Sequence, residues 1–164
     1  MRALFTRIVR GPENSPPELG AQVTLDASRG KPWPTGILLL GQFRGTWEDF
    51  KASCPRLLRD TSAPVPYVER AYWDVQEFLD SVVVPNRYLE TSLFTGLLSG
   101  DANAIDTLFT KFGTWPGTTS AARITFFRTG GKMNTLATDA TAFMHRQSEW
   151  LVDTSIDWDE TRYN

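Results

Sequence analysis

The sequence predicts an α+β fold, a mostly antiparallel sheet with helices packed on one face, in a single domain spanning 1–164. Three observations carry this reading. Short segments alternate apolar and polar residues with period two, the last of them running from Ser148 to Trp158. Between such segments lie stretches whose apolar residues recur at three- and four-residue steps, clearest from Asp101 to Phe112. With 164 residues, 41% of them hydrophobic, the chain is long enough to bury a core, and helices inserted between antiparallel strands are the way to cover it.

In chain order, residues 1–10 read as a short amphipathic helix with Leu4, Phe5 and Ile8 near one face, inside a partly irregular segment over 1–20. Gly11 to Pro17 is a breaker-rich loop. Gln22 to Ala27 alternates as a half-buried strand, and after a Gly- and Pro-rich turn the run Ile37-Leu38-Leu39-Leu40 reads as a more deeply buried strand antiparallel to it. Thr46 caps a helix carrying Trp47, Phe50 and Cys54, with Asp49 as the acid of a capping box and Pro55 ending or kinking it. Ser62 to Pro66 is a second breaker loop. Tyr72 to Val82 is a helix built on Val75, Phe78, Leu79 and Val82, and Tyr88 to Leu93 a strand.

Asp101 starts the next helix, which lines up Ala104, Ile105, Leu108, Phe109 and Phe112. Strands at Arg123–Phe127 and Ser148–Trp158 close the domain. The second puts Trp150, Val152, Thr154, Ile156 and Trp158 on one face and Leu151, Asp153, Ser155 and Asp157 on the other, and 159–164 is a polar tail.

Composition excludes several functions. A net charge of −2, with basic residues scattered along the chain, argues against nucleic acid as a partner. No apolar run approaches the ~18 residues of a membrane span, and the charged start does not resemble a secretory signal, so a cytoplasmic protein is expected. Cys54 is the only cysteine and reads as a buried thiol; His145 is the only histidine, so a histidine-rich metal site cannot form in one chain. Asp153, Asp157, Asp159 and Glu160 read as a solvated rim, and no metal ligand set is assigned.

Several elements recur in a telling order: Tyr72, Gln76 and Phe78-Leu79-Asp80; Pro85-Asn86-Arg87-Tyr88 with Thr91-Ser92-Leu93-Phe94; Ala104-Ile105-Asp106; Gly130-Gly131; Asp139-Ala140-Thr141-Ala142-Phe143; His145-Arg146; and a strand ending in Trp158. The set resembles the substrate domain of berberine-bridge-enzyme-like flavin oxidases, from about the first strand to Trp158. That resemblance implies a sheet face that binds substrate and a histidine, His145, close to flavin and substrate. At neutral pH an imidazole there orients substrate or handles a proton; the alternative is a histidine that hydrogen-bonds the loop and packs beside Arg146. The glycine pair permits a tight reversal after a strand and is read as shaping the loop.

Relative to that family, the chain carries neither the flavin-binding half nor the tyrosine-rich C-terminal segment. The positions of the tyrosine and glutamate found in plant members that oxidise prenylated phenols fall, by spacing, at Phe127 and Val152. The expected substrate-binding residues are Thr125, Phe127, Trp150, Val152, Thr154 and Tyr88, an apolar and aromatic wall for a flat or greasy small molecule, with His145 as the catalytic candidate. No cofactor is expected to be bound by this chain alone; FAD would come in trans, from a flavin-domain partner, and a homodimer is the other expected association. Two further readings stand beside the oxidase subunit: a flavin-free cyclase or isomerase that shapes a flexible substrate, and a binding protein without activity.

Overall fold

The computed structural model describes residues 2–10, 16–27, 36–59, 66–80, 87–95, 102–114 and 121–158. The breaker-rich stretches 11–15, 28–35 and 61–65 and the tail 159–164 lie outside them, as do the last two residues of the helix expected to reach Val82. The elements are α1 (Arg2–Arg10), β1 (Leu19–Ala27), β2 (Gly36–Phe43), α2 (Trp47–Ser53), α3 (Pro55–Arg59), α4 (Tyr72–Asp80), β3 (Arg87–Thr95), α5 (Ala102–Gly113), β4 (Ala121–Arg128), a 3₁₀ turn (Gly131–Thr135) and β5 (Trp150–Trp158). No described helix is long and apolar enough to cross a membrane.

The five strands form one sheet in the order β2-β1-β4-β5-β3, and every neighbouring pair is antiparallel. Directly opposed residues in such a sheet share a face, so the register sorts every strand residue to one of two sides. On the first side run the rows Leu39-Val23-Phe126-Val152-Leu93 and Ile37-Leu25-Ile124-Thr154-Thr91. Here lies the core. Phe5 of α1 is fully buried, its ring edge-on to Phe126 at 5.1 Å and to Phe109 of α5 at 5.5 Å. Ile8 and Val9 of α1 and Ile105 of α5 join Val23, Leu25, Ile124, Phe126 and Trp150 in one cluster. An ion pair between Arg2 and Asp106 ties the two helices together at the surface. The N-terminal helix is thus part of the core.

The capping box at α2 forms as its sequence dictates. Thr46 Oγ1 accepts from the Asp49 backbone N–H, and Asp49 Oδ2 accepts from the Thr46 N–H at 3.0 Å. The Thr46 hydroxyl, which donates to Asp49 Oδ2 at 2.7 Å, and after it the Thr46 N–H hold the Asp49 carboxyl below its ordinary pKa. Cys54 ends the helix, donating its N–H to Phe50, and Pro55 opens α3. The Phe50 ring packs on Phe43 of β2 at 5.5 Å.

One strand departs from expectation. β2, read as the more deeply buried of the first hairpin, is an edge strand: Ile37 and Leu39 are half-buried on the helix side, while Leu38 is 60% exposed. An uninterrupted Ile-Leu-Leu-Leu run records apolarity on both faces but not how many strands lie alongside.

Candidate functional site

The second side of the sheet, turned away from α1 and α5, carries the rows Leu40-Gln22-Phe127-Leu151-Phe94 and Leu38-Thr24-Thr125-Asp153-Ser92, then Asp26-Arg123-Ser155-Glu90. The expected wall is therefore divided. Thr125 and Phe127 lie on this side, whereas Trp150, Val152 and Thr154 lie on the helix side. Trp150 is 1% exposed against Phe126, Val152 packs on the core, and Thr154 Oγ1 donates to the Thr91 carbonyl at 3.2 Å. The alternation within each strand was read correctly, but the register pairs Phe126 with Val152 and hence Phe127 with Leu151. A one-residue difference in relative phase moves a whole set of side chains to the other face. Tyr88 pairs with Asp157 at the far end of β3, and its side chain lies outside the described residues.

His145 does reach the second side. Its imidazole stacks on Phe94 at 4.4 Å with an interplanar angle of 10°, and Phe143 meets both rings edge-on. Phe94 ends the row that runs through Phe127, so His145, Phe143, Phe94, Leu151 and Phe127 make an aromatic and apolar band at one end of this face. Arg146 points elsewhere and is buried. It donates through Nη1 to the Met133 carbonyl at 3.3 Å and through Nη2 to Thr141, and its guanidinium lies 4.8 Å from the centre of the Phe143 ring. That staple fixes the loop and presents His145 outward. His145 also packs edge-on against Phe143 of its own loop, so the loop and β3 together hold it.

Beside the aromatic band runs a polar one that the sequence did not reveal. Thr24 and Thr125 are buried, with their hydroxyl oxygens 3.3 Å apart, and Gln22 Nε2 donates to Thr24 at 3.2 Å. Across from Thr125, Asp153 accepts from Ser92 Oγ at 3.1 Å. Glu90 follows on the neighbouring strand, and the Asp153 carboxylate holds its pKa above the ordinary value, by charge repulsion foremost. Asp153 was read as part of a solvated rim; the register places it instead at the centre of the face. The available signal was its position between Leu151 and Ser155 on an alternating strand, and the missing fact was which side that alternation faced.

The turn from β4 toward this loop depends on Gly131. Its φ is +57°, and a Cβ there would sit 3.0 Å from the Pro17 carbonyl oxygen. Thr129 Oγ1 and Asn134 Nδ2 both donate to the Ser148 carbonyl, closing the loop at its base.

No protein-family model and no curated protein matches this sequence. Solved structures do match. A berberine-bridge-like protein from Physcomitrella patens is 19% identical, with a TM-score of 0.73 over 98% of this chain and 36% of its own. Glucooligosaccharide oxidase from Acremonium strictum is 16% identical, with a TM-score of 0.77 over 99% of this chain and 36% of its own. A variant of berberine bridge enzyme is 16% identical, with a TM-score of 0.77 over 98% of this chain and 33% of its own.

The fold is that of the substrate-binding part of the berberine-bridge-like FAD-linked oxidases. The chain spans about a third of the length of the solved structures it matches.

The Acremonium oxidase carries a 6-S-cysteinyl, 8α-N1-histidyl FAD. In this chain the one cysteine and the one histidine lie on opposite sides of the sheet. Cys54 is buried close to Arg128, with burial pushing its thiol pKa up, on the side of α2 and Phe50. His145 stacks on the opposite side of the sheet. Among the described residues, no three His, Cys, Asp or Glu side chains converge as a metal site.

Proposed function

We propose that the second face of the sheet is the substrate wall of a berberine-bridge-like flavin-dependent oxidoreductase, with FAD supplied by another domain or chain. The observation that carries this is Asp153, set between Thr125 and Ser92 on the same face as the His145–Phe94 stack. Along β5 it lies two residues from Leu151, roughly 7 Å from the aromatic band at the usual rise per residue. An organic guest of modest size spans that distance. The band formed by Phe127, Leu151, Phe94 and Phe143 takes a flat or greasy body, and the Thr24–Thr125 hydroxyls take its polar edge. Asp153 accepts the proton of a substrate hydroxyl, and His145 orients or shares that hydroxyl. The flavin, when present, accepts the electrons.

The expected substrate class, a hydrophobic or aromatic natural-product-like molecule, is thereby narrowed to one that also carries at least one hydroxyl. A flavin-free cyclase or isomerase is the alternative, and the Glu90–Asp153 pair favours it. Asp153 raises the Glu90 pKa by charge repulsion, so the wall holds two interacting carboxyls of the kind proton transfer without a cofactor would use.

Absorption spectra of the purified chain with and without added FAD, followed by titration with 2-naphthol as a hydroxylated aromatic probe, test the proposal. The expected result is a colourless protein whose tryptophan fluorescence responds to the probe, with the response lost in Phe94→Ala. A probe response unchanged by Phe94→Ala and Phe127→Ala would remove the second face as the binding wall. Turnover of a flexible hydroxylated substrate with no flavin present would favour the cyclase.

A further inference from the structure

We propose that β2 is a self-pairing edge, through which two copies of this chain join their sheets antiparallel across a two-fold axis centred on Leu39. The inference stands apart from the substrate wall and rests on β2 alone. β2 occupies one end of the strand order, so among the described residues only β1 lies beside it. The Arg44 N–H donates to the Glu18 carbonyl at 3.1 Å, one step beyond the Leu19–Phe43 pair of the same ladder. Hydrogen-bonded pairs alternate along an antiparallel ladder, so even-numbered residues of β2 direct their backbone groups at β1. Ile37, Leu39 and Gly41 direct theirs outward.

Edges are ordinarily guarded by charge, proline or a bulge. From Gly36 to Phe43 the sequence is Gly-Ile-Leu-Leu-Leu-Gly-Gln-Phe, with no charge and no proline. The opposite edge, β3, carries Arg87 and Glu90. A copy paired along Gly36 to Phe43 about a two-fold axis therefore meets no like charge within the strand.

The outward groups select the register. Two-fold pairing on Leu39 makes Leu39–Leu39 and Ile37–Gly41 hydrogen-bonded pairs, and it uses the whole strand from Gly36 to Gln42. Leu38 then stands opposite Leu40 of the other copy, twice, in the non-hydrogen-bonded positions where Cα atoms approach to about 4.5 Å. Those are the two exposed leucines of the strand, 60% and 37% open. A second copy is the occupant that satisfies both sides of the pairing with the same pattern.

Sedimentation of the whole chain against Leu38→Lys/Leu40→Lys tests this, with circular dichroism to check the fold. Wild type is expected to sediment as a dimer and the lysine variant as a folded monomer, while Leu93→Lys on the far edge leaves the dimer intact. A wild type that is monomeric at every concentration, or a dimer indifferent to the lysines, overturns the proposal. Should the lysine variant not fold, oxidation of cysteine variants decides. Leu38→Cys/Leu40→Cys is expected to give a disulfide-linked dimer, whereas Leu38→Cys alone gives none, because the register opposes position 38 to position 40. Cross-linking by the single variant as readily as by the double overturns the register, and no cross-linking by the double overturns the interface.

Discussion

Gly130 and Gly131 look interchangeable in the sequence, yet only the second has a backbone that excludes a side chain. Gly131 is left-handed at φ +57° with a carbonyl oxygen 3.0 Å from its would-be Cβ, while Gly130 is extended and open to within 4.0 Å. Gly131→Ala is expected to lower stability by about 1–2 kcal/mol in urea unfolding, and Gly130→Ala by much less. Equal effects would mean that the turn adapts. Glu90 offers a second test at this scale. Its folded pKa lies above the ordinary value because Asp153 repels its charge, so the folded state holds the proton more tightly than the unfolded chain does. Stability then falls as pH rises from the ordinary carboxylate value through the raised one, and levels off above it. Glu90→Gln should therefore melt higher than wild type at neutral pH, with the gap closing in acid. A gap that widens in acid would give the interaction the opposite sign. Asp153→Asn, in the proposed reaction with flavin supplied, should cut kcat by about 10²–10⁴ while binding of the phenol probe persists.

At the scale of elements, α1 and the α2 cap carry most of what local sequence could specify. Phe5 is wholly enclosed by Phe126 and Phe109, so Phe5→Ala should cost about 3–5 kcal/mol in denaturant unfolding. Thr46→Ala should cost about 1 kcal/mol by removing the acceptor for the Asp49 N–H. A larger loss from the cap than from Phe5 would refute the core as drawn. The helical periodicities of α1 and α5 and the capping signature at Thr46 were all readable, because each depends on neighbours within four residues. β2 was read correctly as a strand but misjudged in depth, since an edge is defined by the absence of a neighbour that no local pattern records.

For the whole molecule, the sheet separates two chemistries. Cys54 sits on the helix side, desolvated, with its thiol pKa raised. It should resist an aromatic disulfide reagent at neutral pH until the protein unfolds, as followed by thiolate release; rapid labelling of the native chain would place it at the surface. His145, Asp153 and the aromatic band occupy the opposite side, the one proposed as the substrate wall.

What the sequence determined by itself was the kind and order of the elements, the core faces of α1 and α5, and the resemblance to the berberine-bridge-like fold. Periodicity and capping are local. Which residues stand together on the proposed binding face was decided only by tertiary structure. Register between β4 and β5 exchanged Trp150, Val152 and Thr154 for Leu151, Asp153 and Ser155, and it brought Phe94 from β3 beneath His145. A strand's own alternation fixes two faces but leaves open which of them its neighbour shares, and that phase is set by hydrogen bonds between segments far apart in the chain.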